Sequence, residues 1–277
     1  MFKAFTRLSA LVAVVAGILV VTALRVDAIS YSDEELAASA PQYVALIRIG
    51  KHGSCSGSLI AREWVLTAGH CTDGVRPQDL LVEFQRRKRV KVGVAEIVAH
   101  ETYRSQDPDV AYLNGYDIAL LRLTRPVTAI EPARLPHRKD ASFRVDPRAF
   151  GYGLDENDDF HNRLGARNVV MEDGTWADSL FEGHFRRHRQ LSAYGTRTWR
   201  QVLPGDEEVV IERSVIDSAV CWGDSGGPLV ASNGSRDAIV GIVSYGPHCS
   251  APAPSVYTRV SRFVDWIRAN MRATRQP

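Results

Sequence analysis

The sequence lacks several things that would settle its class at once. It has no pair of Cys-x-x-Cys motifs of the kind that builds a structural zinc site. It has no glycine-rich loop of the phosphate-cradling type. It has almost no net charge: 34 Lys and Arg against 32 Asp and Glu leave +2, too little to point to nucleic acid. It shows no internal repeat at a short fixed period, and few stretches with helical periodicity. After the first thirty residues no apolar run is long enough to cross a bilayer.

The one long apolar run stands at the start. Lys3 and Arg7 precede an uncharged stretch from Leu8 to Leu24, and Val26-Asp27-Ala28 follows with the small-residue pattern of a leader cleavage site. We expect residues 1–28 to be a signal peptide and the rest to be exported. The alternative is an uncleaved signal anchor, because the run sits at the short limit for spanning a membrane. Export gives meaning to the four cysteines, Cys55, Cys71, Cys221 and Cys249: an even count in an oxidising compartment predicts two disulfides. Three pairings exist and sequence does not choose among them. The local pairing would close two short loops, each worth about 3 kcal/mol by chain entropy.

What is present is a series of short apolar segments separated by turn residues. Strands are predicted at Tyr43–Ile49, Trp64–Ala68, Leu80–Phe84, Val92–Val98, Ile118–Leu123, Ala166–Met171, Glu208–Ile211, Pro228–Ala231, Ile239–Tyr245 and Val256–Val260. Such a pattern predicts an all-β barrel or sandwich. One helix is predicted at the end, with Ser261 as N-cap and Phe263, Val264, Ile267 and Met271 on one face. Two basic runs, Arg86-Arg87-Lys88-Arg89 and Arg186-Arg187-His188-Arg189, read as solvated loops or as sites for an anionic partner, the former being favoured.

Ser225 lies in Gly223-Asp224-Ser225-Gly226-Gly227-Pro228. A serine hydroxyl becomes a nucleophile only beside a base. Flanking glycines let backbone N–H groups converge, so those of Gly223 and Ser225 are the expected oxyanion hole. The string also satisfies Gly-x-Ser-x-Gly, the nucleophile elbow of α/β-hydrolases. That fold needs its acid and histidine after the serine, and no βαβ pattern follows Ser225. His70, ending Trp64-Val-Leu-Thr-Ala-Gly-His70-Cys71, is the candidate base, pinned if Cys71 bonds Cys55. Asp117, at the mouth of the apolar strand Ile118–Leu123, is the candidate acid that orients it; a carboxylate there needs partners.

Taken together these strings resemble the chymotrypsin (trypsin-like) serine peptidase family. Cys55-Ser-Gly-Ser-Leu-Ile, Thr67-Ala-Gly-His-Cys, Asp117-Ile-Ala-Leu-Leu, Gly151-Tyr-Gly, the Ser225 string and Ser244-Tyr-Gly occur in that family's order. The resemblance implies a double six-stranded antiparallel β-barrel with a C-terminal helix. It divides the chain into a barrel at about 41–140, a second at about 141–260 and a helix at about 261–273, within a peptidase domain at 29–277. It implies a secreted serine endopeptidase using His70, Asp117 and Ser225 through an acyl-enzyme, with no cofactor. The interval between Asp117 and Ser225 is longer than the family's usual one, and the excess is expected in an irregular stretch from Asp155 to Arg200.

The resemblance further implies that a new N-terminus pairs with Asp224. Counting back from Pro41 lands near Ile29, directly after the predicted leader cleavage, so Ile29 is expected to supply that ammonium, with Val26 after Arg25 as the weaker alternative. Ile29-Ser30-Tyr31-Ser32 departs from the family's usual Ile-Val-Gly-Gly. The position that holds an aspartate in members cutting after Arg or Lys is Ala219 here, so an apolar residue is expected before the scissile bond. Val220, Ser244, Tyr245, Gly246 and Ser255 match other pocket positions, Trp222 the rim, and Ser255 narrows a pocket where open-pocketed members have glycine. No metal is expected: Arg86–Arg89 stand where some members bind calcium. Expected partners are protein or peptide substrates and protein inhibitors. Nucleic acid, stable membrane association after leader cleavage and oligomers are not expected. The rival reading is a catalytically silent homologue that binds proteins.

Overall fold

A computed structural model describes residues 29, 31–51, 53–85, 89–104, 107–137, 147–155, 157, 159–160, 162–203, 209–232, 237–249 and 251–273. The leader assignment at 1–28, most of the first basic run (86–88), and Ser30 lie outside them.

Six strands form the first barrel: β1 (Val44–Ile49), β2 (Gly53–Ala61), β3 (Trp64–Thr67), β4 (Leu80–Phe84), β5 (Val90–Ala99) and β6 (Ala119–Leu123). They close antiparallel in the order β1-β2-β3-β6-β5-β4. Seven follow: β7 (Arg148–Gly151), β8 (Gly165–Glu172), β9 (Gln190–Leu203), β10 (Val209–Asp217), β11 (Pro228–Ser232), β12 (Asp237–Tyr245) and β13 (Ser255–Arg259). Pairing of β8 with β9 closes six of these into the second barrel, and β10 lies outside it on β9. Closure leaves no free edge in either barrel. The C-terminal helix completes the fold class expected from the resemblance.

Burial explains which segments were visible in the sequence. Val44 to Ile47 and Ala119 to Leu121 are fully buried, so they read as continuous apolar runs. β2 was not predicted. Its Gly-Ser-Cys-Ser-Gly-Ser start looks like a loop, yet small residues are what the barrel interior admits there. A Cβ on Gly57 would sit 2.8 Å from the Ile47 side chain and 2.9 Å from that of Val65.

Two expectations need correction. The excess chain after Asp155 is not an irregular stretch: residues 165–172 form β8, Thr175–Leu180 a short helix, and 190–203 a long strand. β9 pairs with β8 up to Gly195, then continues outward paired with β10, so part of the extra length is this hairpin. The C-terminal helix starts at Val264, and Ser261 lies before it in a 3₁₀ turn, Val260–Arg262, rather than capping it. Val264 and Ile267 are buried, and Phe263 and Ile267 join the core of the first barrel.

A third apolar cluster joins the barrels. Val44 and Leu46 of β1 meet Phe150, Tyr152 and Val230 of the second barrel. It also receives Ala37 from the helix Glu34–Ser39, which Asp33 caps through the Leu36 N–H, and Ala40, which ends that helix as its C-cap. The barrels are thus packed against each other, and the candidate residues meet along their seam. Among the described residues no helix is long and apolar enough to cross a membrane.

Candidate active site

Three anchors fix His70. β3 delivers it to a 3₁₀ turn, His70–Thr72. The disulfide Cys55–Cys71 ties the next residue to β2. The Thr72 hydroxyl donates to the Gly69 carbonyl at 2.7 Å, tightening the turn. The local pairing is therefore the one formed, and the second disulfide is Cys221–Cys249.

Asp117 is fully buried and receives three donors. The His70 backbone N–H reaches Oδ1 at 2.9 Å, and His70 Nδ1 lies 2.8 Å from Oδ2. The Ser244 hydroxyl donates to Oδ2 at 2.5 Å. From β13, the Thr258 hydroxyl donates to the Asp117 carbonyl at 2.8 Å. A buried carboxylate without such donors would be costly. With Asp117 ionised, Nδ1 carries the proton and Nε2 is left to accept one. The sequence places Ser244 only among pocket residues; its bond to Asp117 spans 127 residues, and no local pattern signals it.

The His70 side chain keeps a quarter of its surface exposed. Burial pulls its basicity down. The charge and hydrogen bond of Asp117, and then the charge of Asp73, outweigh this and hold the imidazole above its ordinary value. Asp73 accepts a hydrogen bond from the Tyr103 hydroxyl. Burial raises the Asp73 carboxyl, opposed by the Tyr103 bond and by His70. Neither Asp73 nor Tyr103 was picked out in the sequence.

Ser225 is presented by a tight loop between Cys221 and β11. The Ser56 N–H donates to the Ser225 carbonyl at 2.7 Å, and the Gly226 N–H to that of Val243 at 2.8 Å. Gly226 has φ +81°, and a Cβ there would lie 2.1 Å from the Thr67 hydroxyl, so only glycine fits. Gly223 and Ser225 N–H groups have no acceptor among the described residues, which leaves both donors available. His70 and Ser225 line one cleft of about 490 Å³ without a hydrogen bond between their side chains; such contacts commonly tighten only with substrate present.

Asp224 is fully buried and accepts the Cys221 and Gly153 N–H groups, each at 2.8 Å. Burial raises its carboxyl to about 7, against the pull of those two donors. Ile29 is also fully buried, in one cluster with Ala219 and Val220. It has φ +72°, a conformation that a β-branched residue adopts only under strain.

Val220, Trp222, Ser244, Tyr245, Gly246 and Ser255 line the cleft, as the sequence reading placed them, together with Tyr112, Leu113, Phe181, Val243 and the second disulfide. Trp222 is 72% exposed and stands at the rim. Ala219 is not in that lining; it is fully buried in the core cluster that holds Ile29. Asp217 does not line the cleft either. Its carboxylate pairs with Arg167 at 2.7 Å, and its other oxygen accepts the Ala219 N–H at 2.9 Å. Among the described residues no carboxylate lines the cleft. Cys55, His70 and Cys71 bring donor atoms within 4.8 Å of one another, but the two sulfurs bond each other and offer no thiolate to a metal.

Comparison with known proteins gives one family and several similar structures. The trypsin family matches residues 31–267. The structure of GrC, a granzyme, superposes with a TM-score of 0.65 at 27% identity, over 84% of this chain and 95% of that one. Neuropsin, a serine protease expressed in the limbic system of mouse brain, superposes with a TM-score of 0.63 at 24% identity, over the same shares.

Proposed function

The chain belongs to the trypsin family and is a serine endopeptidase, and from that premise we propose that His70, Asp117 and Ser225 are its catalytic triad. The observation that carries this is the pair of hydrogen bonds between His70 and the buried Asp117, with His70 and Ser225 lining one cleft. Nε2 of His70 takes the proton of Ser225 as Oγ attacks the scissile carbonyl. The N–H groups of Gly223 and Ser225 stabilise the oxyanion. His70 then protonates the leaving amine, and water releases the acyl group by the same path reversed. Asp117 holds the imidazole and balances its positive charge.

The substrate side chain before the scissile bond is apolar and of small to medium size. With no carboxylate lining the cleft among the described residues, a basic side chain would lack a counter-ion. The Ser255 hydroxyl would lie 2.6 Å from a Cβ on Gly246, so these two walls approach closely, and its bond to the Ser218 carbonyl holds it there.

Activation follows leader removal. Cleavage after Ala28 turns Ile29, which shares a core cluster with Val220 four residues before Asp224, into a terminal ammonium for that buried carboxylate. Cleavage also removes the carbonyl that makes a positive φ at Ile29 costly. The product is a secreted enzyme acting on proteins or peptides, and protein inhibitors would dock at the same cleft. The test is a peptide-library digest read by mass spectrometry with the secreted protein. Cleavage mainly after small or medium apolar residues, absent in Ser225→Ala, supports the assignment. Dominant cleavage after Arg or Lys overturns the preference, and unchanged cleavage by the variant overturns the triad.

A further inference from the structure

The second basic run gains two members in three dimensions. Arg186, Arg187 and Arg189 precede β9; Arg259 ends β13 and Arg262 follows it. Hydrogen bonds to backbone carbonyls lock these segments together: Arg259 N–H donates to the Arg189 carbonyl at 2.7 Å, and Arg259 Nη2 to those of Arg187 and Gln190 at 3.0 and 3.1 Å. Arg262 Nε donates to the His188 carbonyl at 2.8 Å. Arg187 reaches the Asp173 carbonyl and the Thr175 hydroxyl, Arg186 the Gly183 carbonyl, and Arg189 the Asn114 carbonyl while lying 4.3 Å over the Tyr116 ring.

Every acceptor is neutral. None of the five arginines forms an ion pair with a carboxylate among the described residues, although Arg48, Arg76, Arg122, Arg148 and Arg167 do. Asp173, whose carbonyl Arg187 contacts, feels the Arg187 charge only as the weakest of the influences on its carboxyl. The field is visible at His188. Burial, and then the charges of Arg189, Arg262, Arg186 and Arg259, hold its imidazole below the ordinary value. A guanidinium has five donors, and Arg187 and Arg262, both exposed, spend only one or two of theirs.

This surface adjoins the cleft. Gln190, which follows Arg189, donates to the Tyr245 hydroxyl at 3.3 Å and to the Leu113 carbonyl at 3.4 Å, and both residues line the cleft. Arg186 acts electrostatically on the Tyr245 phenol. A polypeptide lying in the cleft therefore passes a bank of uncompensated positive charge.

We propose that the surface formed by Arg186, Arg187, Arg189, Arg259 and Arg262 docks an acidic stretch of the substrate a few residues from the scissile bond. This rests on the endopeptidase reading and adds a substrate class to it. Arginine forks suit carboxylates, and a patch of one sign raises the local concentration of oppositely charged chain.

The test uses enzyme recovered from expression of the full chain and two peptides with one cleavage sequence. One carries an Asp/Glu flank, the other Ser/Asn. At low salt the acidic peptide should be cleaved with about tenfold higher kcat/KM, and the gap should shrink as salt rises. Arg187→Gln/Arg262→Gln should lose the gap and leave cleavage of the neutral peptide within about twofold; Arg187→Lys/Arg262→Lys should keep it. Equal cleavage of both peptides by the unaltered enzyme overturns the proposal, as does a gap that survives the double Gln variant. Dextran sulfate binding that depends on these arginines, without any acidic-peptide preference, also overturns it and assigns the surface to sulfated polymers. Failure to cleave either peptide would count against the endopeptidase reading instead, which keeps the two outcomes apart.

Discussion

Both oxygens of Asp117 are engaged by the single residue His70, one through its backbone N–H and the other through Nδ1. The imidazole is thereby fixed in position, orientation and tautomer. Asp117→Asn keeps the shape but removes the charge and favours the wrong tautomer. It should lower kcat by on the order of 10⁴, measured on a peptide ester or amide. Ser244→Ala removes one donor to the same carboxylate, an interaction worth about 1.5–3 kcal/mol. It should reduce kcat by roughly tenfold or more while KM moves little.

The pH profile follows from the charges that face His70. Only the neutral imidazole can accept the Ser225 proton, so kcat/KM must fall as pH drops through the His70 pKa. Asp117 and Asp73 hold that pKa above the value of free imidazole. Asp73→Asn removes one of these charges, and the acid limb should then move to lower pH with the plateau unchanged. Initial rates from pH 4 to 9 decide this; an acid limb that stays in place would exclude the role given to Asp73.

Asp224 ties stability to maturation. In the uncleaved chain its folded pKa, about 7, lies above the ordinary carboxylate value of 3.8. The folded state thus holds this proton more tightly than the unfolded state does. The stability it contributes is complete below pH 3.8 and is lost as pH rises through 7, on the order of 4 kcal/mol over that window. An Ile29 ammonium reverses this by favouring the charged form. Urea unfolding of Ser225→Ala protein, with and without residues 1–28, should show the loss between pH 5 and 8 only in the longer form. Asp224→Asn should abolish it there.

Pocket variants separate two readings of its floor. Ala219 is packed against core rather than facing the cleft, so Ala219→Asp should bury a charge and cost folding yield instead of creating cleavage after Arg. Val220 does line the cleft, and Val220→Asp should raise kcat/KM for Arg or Lys peptides by about tenfold. Ser255→Gly should widen the slot and favour aromatic side chains by a similar factor.

The parts of this molecule legible in sequence are those where a local string meets a local physical demand. Ile118–Leu123 and Ile239–Tyr245 are buried apolar runs and were read as strands with nearly their true limits. His70 and Ser225 sit in strings whose glycines and cysteines exist to hold them. β2 was hidden because its interior positions must be small, and β9 because much of it runs outside the barrel, paired with β10. Other contacts between distant segments left no trace. Ser244 with Asp117, Tyr103 with Asp73, and Arg167 with Asp217 join residues 127, 30 and 50 positions apart. The Asp217 pair also settles an ambiguity: an aspartate near the pocket sequence is committed to a buried arginine, not to substrate.

The most direct measurement is covalent labelling of the mature protein with an active-site-directed fluorophosphonate, the modified residue located by mass spectrometry. A single label on Ser225 is predicted, abolished by Ser225→Ala and strongly slowed by His70→Ala. Protein that begins at Ile29, carries both disulfides, unfolds cooperatively and yet takes no label at Ser225 would contradict the account and indicate a silent homologue that binds proteins without cutting them.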